Sequence, residues 1–170
     1  MDFLKRVTER RPIVLDGATG SELDRRAVDT SLPLWSARAL LDAPEVLLQI
    51  HTDYLRAGAE IITANTFRTH RRSLAKAGLG ERAQALTHQA VALARQATEA
   101  YPGSGWRFVA GSIAPLEDCY TPELVPPQAE CEREHAEMAT HLAEAGADLI
   151  LVETMNTIRE AAVATRAARA

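Results

Sequence analysis

The stretch Ala57-Gly58-Ala59-Glu60-Ile61-Ile62-Thr63-Ala64-Asn65-Thr66 contains the end of a helix, a strand and a polar cluster in direct succession. Gly58 is expected to end the helix, because glycine adopts the left-handed conformation that closes a helix without a steric penalty. Residues 59–64 then form a strand whose apolar run is typical of a strand buried on both faces. The core of this joint recurs at Ala145-Gly146-Ala147-Asp148-Leu149-Ile150, which predicts repeated βα units.

The rest of the chain extends this alternation of strands and helices. Further strands are expected at 12–15, 107–110 and 148–152, and helices at 4–10, 42–57, 82–100, 129–145 and 158–170. Each strand ends in a small polar cluster, and the four clusters are Asp16-Gly17-Ala18-Thr19, Asn65-Thr66, Gly111-Ser112 and Glu153-Thr154. Parallel strands joined by helices point the same way, so these clusters should meet on one rim, where a β/α barrel holds its active site. Two carboxylates, an amide and several hydroxyls on one rim predict a polar small-molecule site.

The predicted α/β fold is a (β/α)8 barrel in preference to an open doubly wound sheet. A closed barrel needs about 200 to 250 residues, whereas the 170 residues here supply about four βα units. We therefore expect residues 1–170 to form a single domain that is either half of a barrel or a smaller open fold. The final predicted helix has no terminator before Ala170, which favours the incomplete barrel.

The bulk composition restricts the classes of partner. A net charge of −4 and an isoelectric point near 5.7 argue against nucleic acid or an anionic membrane surface. No apolar run approaches the ~20 residues that a membrane span needs, and residues 1–11 lack the apolar segment of a signal peptide. Two cysteines without a disulfide pattern are typical of a reducing compartment, so we expect a cytoplasmic protein.

Several segments, in order and over nearly the whole chain, carry a family resemblance: 15–23 (LDGATGSEL), 33–37 (PLWSA), 44–46 (PEV), 51–60 (HTDYLRAGAE), 61–67 (IITANTF), 110–115 (AGSIAP) and 147–154 (ADLILVET). Together they resemble the homocysteine S-methyltransferase family. That resemblance implies a zinc-dependent (β/α)8 barrel. It also implies methyl transfer from a donor such as S-methylmethionine, betaine or a folate to the thiol of homocysteine, giving methionine. Zinc would lower the thiol pKa from near 8.5, so that the thiolate can attack the methyl carbon.

The resemblance also assigns the substrate-binding residues. It implies that Asp16 and Glu153 bind the ammonium group of homocysteine, and that Gly17 lets the backbone approach the substrate closely. Asp16 could instead bond nearby backbone N–H groups in its turn, and Glu153 could pair with a local arginine. Weaker substrate-binding candidates, each equally suited to satisfying loop backbone, are Thr19, Asn65, Thr66 and Ser112. No residue is assigned a catalytic role.

The metal ligands of the family do not map onto this sequence. The family holds zinc with three cysteines, one from a later strand and an adjacent pair near the last strand, and this chain ends before either position. Cys119 and Cys131 do not match them; Cys131 and His135 share a helical face, but two ligands are not a site. We therefore expect the amino-acid-binding half without the zinc-binding half, and little or no methyl transfer by this chain alone.

Four other features leave alternatives open. The half-barrel could be a non-catalytic amino-acid binder, or could pair with itself or another chain through open strand edges. Asp16 and Glu153 could instead be oxygen ligands of a divalent metal. The cluster Arg68, His70, Arg71 and Arg72 after the second predicted strand could face an anionic donor or carboxylate, although a solvated helix start is favoured. Trp35 could anchor its loop or line the site.

Overall fold

The computed structural model describes residues 2–170. The helices are α1 (Phe3–Thr8), α2 (Thr19–Arg25), α3 (Ala39–Asp42), α4 (Pro44–Arg56), α5 (Arg71–Ala75), α6 (Ala83–Ala100), α7 (Gln128–Glu144) and α8 (Ile158–Ala167). The strands are β1 (Ile61–Ala64), β2 (Phe108–Ile113) and β3 (Leu149–Val152). Short 3-10 turns lie at Trp35–Arg38, Gly80–Arg82 and Pro122–Leu124. No helix within residues 2–170 is both long enough and apolar enough to cross a membrane.

The three strands form a parallel sheet in the order β1-β2-β3. Ile61 lies opposite Phe108, and Ala110 lies opposite Leu149. Helix α6 connects the first pair of strands and α7 the second, so each connection is a βαβ unit of the predicted kind. The carboxyl ends of the strands consequently lie along one edge of the sheet.

The expected first strand at 12–15 is the main correction to the predicted fold. Only Leu15 forms a β-bridge, to Ile61, and Asp16 N donates to Ile61 O at 3.0 Å. Val14 and Leu15 are 48% and 46% exposed, so the prediction of a buried strand here was wrong. The physical reason is that this segment pairs with β1 on one side and has no neighbour on the other within residues 2–170.

Helices cover one face of the sheet and form the main core with it. Alternate strand residues point to this face, as the two-residue period of a strand requires. Gly111 permits the close approach of α7, because a Cβ there would lie 2.6 Å from Leu142 Cδ2. Residues of this core that are almost completely buried include Leu47, Ile50, Ile62, Ala90, Ala94, Val109, Ile113 and Leu142.

Helix α1 packs on the opposite face, near the amino ends of the strands. Phe3 makes an edge-to-face contact with Phe108, with ring centroids 5.1 Å apart. Arg6 is only 1% exposed and binds Glu60, with Nε 2.6 Å from Oε2. A bidentate arginine–carboxylate pair of this kind fixes the orientation as well as the position of a helix. The catalytic rim of a β/α fold lies at the other end of the strands.

Candidate functional site

A cavity of about 610 Å³ opens at the carboxyl ends of the strands. Its walls come from the start of α2 and the segment after that helix, from the ends of β1, β2 and β3, and from the loop that follows β2. The lining residues include Thr19, Gly20, Trp35, Thr63, Asn65, Phe67, Arg68, Ser112, Asp118, Cys119, Tyr120, Glu153 and Thr154. Thr19, Asn65, Ser112 and Glu153 of the predicted site therefore share this cavity, as the convergence of strand ends requires.

Asp16 lies beside the cavity and is held by the neighbouring strand. Its Oδ2 accepts from Thr63 N and its Oδ1 accepts from Thr63 Oγ1, both at 2.7 Å. Burial raises the pKa of the Asp16 carboxyl, the two bonds from Thr63 oppose that rise, and the nearby Glu153 carboxylate adds to it. Asp16 does accept backbone N–H, as one alternative predicted, but from a strand 47 residues away. Its carboxylate is thereby fixed at the rim.

Glu153 comes directly after β3 and is oriented by Ser112 at the end of β2. Ser112 Oγ donates to Glu153 Oε1 at 2.5 Å, and Glu153 N donates to Ile113 O at 3.0 Å. Within residues 2–170, neither Glu153 nor Asp16 has an arginine, lysine or histidine nitrogen within 4.0 Å. The alternative in which Glu153 pairs with a local arginine was therefore wrong. The rim carries two carboxylates without a cationic partner.

Two of the weaker candidates stabilise the rim. Asn65 is 4% exposed, and its Nδ2 donates to Ser36 O at 2.8 Å. This bond joins the end of β1 to the 3-10 turn that begins at Trp35. Thr66 Oγ1 donates to Ser112 O and accepts from Ser112 N, both at 2.9 Å. Thr66 thus joins the ends of β1 and β2 through backbone groups and is not among the residues lining the cavity.

Of the first polar cluster only Thr19 is among the residues that line the cavity, and Gly17 is not. Gly17 is exposed beside the ring of Tyr54, and a Cβ on it would lie 2.8 Å from the Tyr54 hydroxyl oxygen. Tyr54 in turn donates its hydroxyl to Ala18 O at 3.2 Å. Thr19 begins α2 and faces the cavity. Glycine at position 17 therefore allows the Tyr54 ring to pack directly against the backbone of this loop.

An aromatic wall closes one side of the cavity. Trp35 and Phe67 meet edge to face, with ring centroids 5.3 Å apart. Gly20 makes room for this wall, since a Cβ there would lie 2.6 Å from Trp35 Cζ2. Trp35 and Thr154 have left-handed φ angles of 48° and 59°, a conformation that costs non-glycine residues energy and concentrates at functional sites. Trp35 lines the site, which was one of its two predicted roles.

Sequence reasoning missed Thr63 and gave too little weight to Arg68. Thr63 is the one polar residue inside the apolar run of β1, and that position could have marked it as facing the rim. Arg68 was expected to lie at a solvated helix start, but it lines the cavity beside Phe67. Its place four residues after the strand end was the available signal.

The described residues do not assemble a metal-ligand set. Among residues 2–170 there is no group of three or more histidine, cysteine, aspartate or glutamate side chains placed to hold a metal. Cys119 lines the cavity, whereas Cys131 is buried and donates to Pro126 O at 3.3 Å. His135 Nε2 lies 3.2 Å from Glu160 Oε1. The residues present therefore do not fit the zinc site implied by the sequence resemblance.

A model of one protein family matches most of the chain. That family model, described as homocysteine S-methyltransferase, matches residues 13–170 of this chain. The chain belongs to the homocysteine S-methyltransferase family. The four polar clusters at 16–19, 65–66, 111–112 and 153–154 all lie within the region matched by that family model.

Two curated members of the homocysteine S-methyltransferase family match most of this chain. The homocysteine S-methyltransferase of Escherichia coli (strain K12) is 34% identical over 160 residues, which are 87% of this chain and 51% of the relative. The homocysteine S-methyltransferase YbgG of Bacillus subtilis (strain 168) is 30% identical over 185 residues, covering 98% of this chain and 58% of the relative. The chain thus spans about half the length of these relatives.

Solved structures from the same family share the backbone arrangement. The metallated form of the homocysteine methyltransferase MmuM from Escherichia coli matches with a TM-score of 0.84 and 34% identity. That match covers 92% of this chain and 59% of the solved one. The α/β fold with a parallel sheet is accordingly that of homocysteine S-methyltransferases over the shared region.

Proposed function

We propose that this chain is the homocysteine-binding part of a methyltransferase that transfers a methyl group from a donor such as S-methylmethionine to the homocysteine thiol, giving methionine. The observation that carries the proposal is the rim pair Asp16 and Glu153. Glu153 lines the cavity, and Asp16 lies beside it on the cavity-lining Thr63. Neither carboxylate has a cationic side chain within 4.0 Å in residues 2–170. Such a pair provides the negative charge that an α-ammonium group requires. Family membership supports homocysteine as the ligand that carries this ammonium group.

The hydrogen bonds at the rim support this role chemically. Thr63 and Ser112 donate to Asp16 and Glu153, so both carboxylates are oriented before a ligand arrives. Burial and the neighbouring Glu153 raise the pKa of Asp16, and an ammonium ligand would oppose both effects by favouring the ionised form. Ligand binding should therefore relieve the repulsion between the two carboxylates, and this relief should increase the affinity of the site for the ligand.

The proposal includes the architecture around this site. We propose that residues 1–170 are the N-terminal half of a (β/α)8 domain, with the segment ending at Leu15 and strands β1 to β3 as its first strands. Zinc in such enzymes supplies an activated thiolate, but residues 2–170 hold no set of three candidate metal ligands. We assign no step to the metal. A cytoplasmic location is part of the proposal and rests on two free cysteines.

The test is a calorimetric titration of the full chain with L-homocysteine and with 4-mercaptobutyrate, which keeps the thiol and the carboxylate but lacks the ammonium group. Homocysteine should bind and 4-mercaptobutyrate should bind at least about tenfold more weakly, since charge-assisted bonds contribute about 1.5–3 kcal/mol. Glu153→Gln should remove most of this preference, whereas Glu123→Gln, on the 3-10 turn after β2, should retain it. Equal affinity of wild type for both ligands would contradict the proposed role of the carboxylates.

A further inference from the structure

Arg68 is the only cationic side chain among the residues that line the cavity. It follows β1 directly after Phe67, and its guanidinium carbon lies 5.7 Å from the Phe67 ring centroid. The aromatic wall therefore supports the guanidinium group from one side, a contact that favours a planar cation. The cavity lining thus combines the cationic Arg68 with the acidic side chains of Glu153 and Asp118, and Asp16 lies beside it on Thr63.

The hydrogen-bonding capacity of Arg68 is largely unused by the protein. Its Nε is buried and has no hydrogen-bond partner within residues 2–170. Nη1 makes one long contact, 3.4 Å, to Ser73 Oγ, which already lies 2.9 Å from His70 Nε2. No carboxylate oxygen in the described chain lies within 4.0 Å of Arg68. A buried donor without a partner is costly, because it has lost water and gained nothing.

Two nearby arginines show that this chain provides carboxylate partners elsewhere. Arg71 Nη2 lies 2.7 Å from Glu137 Oε1, and Arg72 contacts three carboxylates on α7 and on the loop after β2. Both arginines point to α7, whereas Arg68 points into the cavity. The difference between Arg68 and its neighbours is therefore one of position, since Arg68 lines the cavity and has no carboxylate partner within residues 2–170.

We propose that Arg68 binds the carboxylate of an amino-acid ligand, and that the cavity recognises a zwitterion with its ammonium group at Asp16 and Glu153. This inference rests on the proposed function and deepens it by naming the group that recognises the carboxylate. The planar guanidinium matches a carboxylate through two parallel N–H donors, and Nε is one of the atoms that form such a fork. A ligand carboxylate would supply the partner that Nε lacks.

The carboxylate could come from homocysteine or from the methyl donor, because S-methylmethionine is also an amino acid. The shared chemistry is a zwitterion, and two titrations separate the sources. One uses L-homocysteine and its decarboxylated counterpart 3-aminopropane-1-thiol. The other uses S-methyl-L-methionine and its decarboxylated counterpart (3-aminopropyl)dimethylsulfonium.

The variant Arg68→Gln should weaken binding of one of the two amino acids at least about tenfold, the loss expected for one charge-assisted interaction. Its affinity for the matching decarboxylated amine should stay at the wild-type value. Arg68→Lys should restore part of the affinity, since lysine keeps the charge and lacks the fork. Arg71→Gln is the matched control, because it removes the same charge three residues away from a position outside the cavity.

The outcomes separate this inference from the proposed function. If wild type binds homocysteine or S-methylmethionine and Arg68→Gln binds both equally well, the role of Arg68 is refuted and the proposed function is unaffected. If wild type binds S-methylmethionine through Arg68 but does not bind homocysteine, the carboxylate site is supported and the homocysteine assignment fails. If wild type binds neither amino acid, both proposals are overturned. Thermal unfolding of each variant shows whether the fold is retained.

Discussion

Glu160 and His135 form a buried carboxylate–imidazole pair that joins the last two helices. Glu160 Oε1 lies 3.2 Å from His135 Nε2 and also accepts from Leu116 N at 2.9 Å. The two side chains are 0% and 1% exposed. One oxygen thus connects α8, α7 and the loop after β2, and that loop follows the strand that carries Ser112.

Removal of this carboxylate should destabilise the fold strongly. We expect Glu160→Ala to lower the free energy of unfolding by about 2–4 kcal/mol, because it leaves Leu116 N–H and His135 Nε2 buried without a partner and each such loss costs about 1–3 kcal/mol. Glu160→Gln should cost less, since its amide oxygen can still accept that N–H. Urea denaturation measures both, with Glu99→Ala on the exposed side of α6 as control. A loss no larger than that of Glu99→Ala would show that the pair contributes nothing.

Thr63 should control the ionisation of Asp16. Thr63→Val removes the side-chain bond that lowers the pKa of the carboxyl and leaves burial and Glu153 to raise it further. The pH below which homocysteine binding is lost should therefore move upward in this variant, because only the ionised form attracts ammonium. Calorimetric titrations from pH 5 to 8 give the midpoint. Thr140→Val, on the surface of α7, should leave the midpoint unchanged.

His51 should make stability depend on pH in the acidic range. It is 1% exposed in α4, neither ring nitrogen has a partner in the described chain, and burial lowers its pKa to about 4. As the pH falls below about 6.5, His51 becomes protonated in the unfolded chain but stays neutral in the folded chain until about pH 4. The contribution of neutral His51 to the free energy of unfolding is therefore complete above pH 6.5. As the pH falls, it decreases by about 1.4 kcal/mol per pH unit down to about pH 4.

Unfolding measured at several pH values tests this expectation through the slope. His51→Leu should have a shallower slope between pH 6.5 and 4 than wild type. His88→Leu is the control, because His88 is 39% exposed on α6 and should keep the wild-type slope. Identical slopes in all three proteins would mean that His51 does not carry the dependence.

The two open edges of the sheet should support self-association. Leu15 pairs only with β1, and β3 pairs only with β2 within residues 2–170. Val14 and Leu15 are about half exposed at one of these edges. Unpaired N–H and C=O groups beside apolar side chains are a template for strand addition.

Sedimentation at increasing concentration should therefore show a monomer in equilibrium with larger species. Val14→Lys should shift that equilibrium toward the monomer, because a charged residue at an edge opposes pairing. Leu4→Lys, at an exposed position on α1, is the control and should not. A wild-type monomer at every concentration would rule out association through these edges.

The repeated helix-to-strand joints could be predicted from sequence because their determinants are local. Gly58 and Gly146 have φ angles of 102° and 80°, as left-handed helix terminators do, and each precedes its strand by a few residues. The extent of pairing at 12–15 could not be predicted. An apolar run shows that a segment can pair, but the number of its neighbours depends on the rest of the sheet.

The site was predicted to the level of strand ends but no further. Asp16, Asn65, Ser112 and Glu153 meet at one edge of the sheet because parallel strands must end there. The bond from Thr63 to Asp16 and the unpartnered Nε of Arg68 arise from contacts between side chains distant in sequence or turned into the cavity. No local pattern encodes those contacts.

Helix α1 can dock only after a distant part of the chain has been synthesised. Phe3 and Glu9 are synthesised about a hundred residues before their partners Phe108 and Trp106. Until then α1 is a six-residue helix with no surface to bury against, too short to persist alone in water. Its aromatic ring has no Phe108 to pack against until about a hundred further residues have been made. The docking of α1 should therefore report that β2 has taken its place in the nascent sheet.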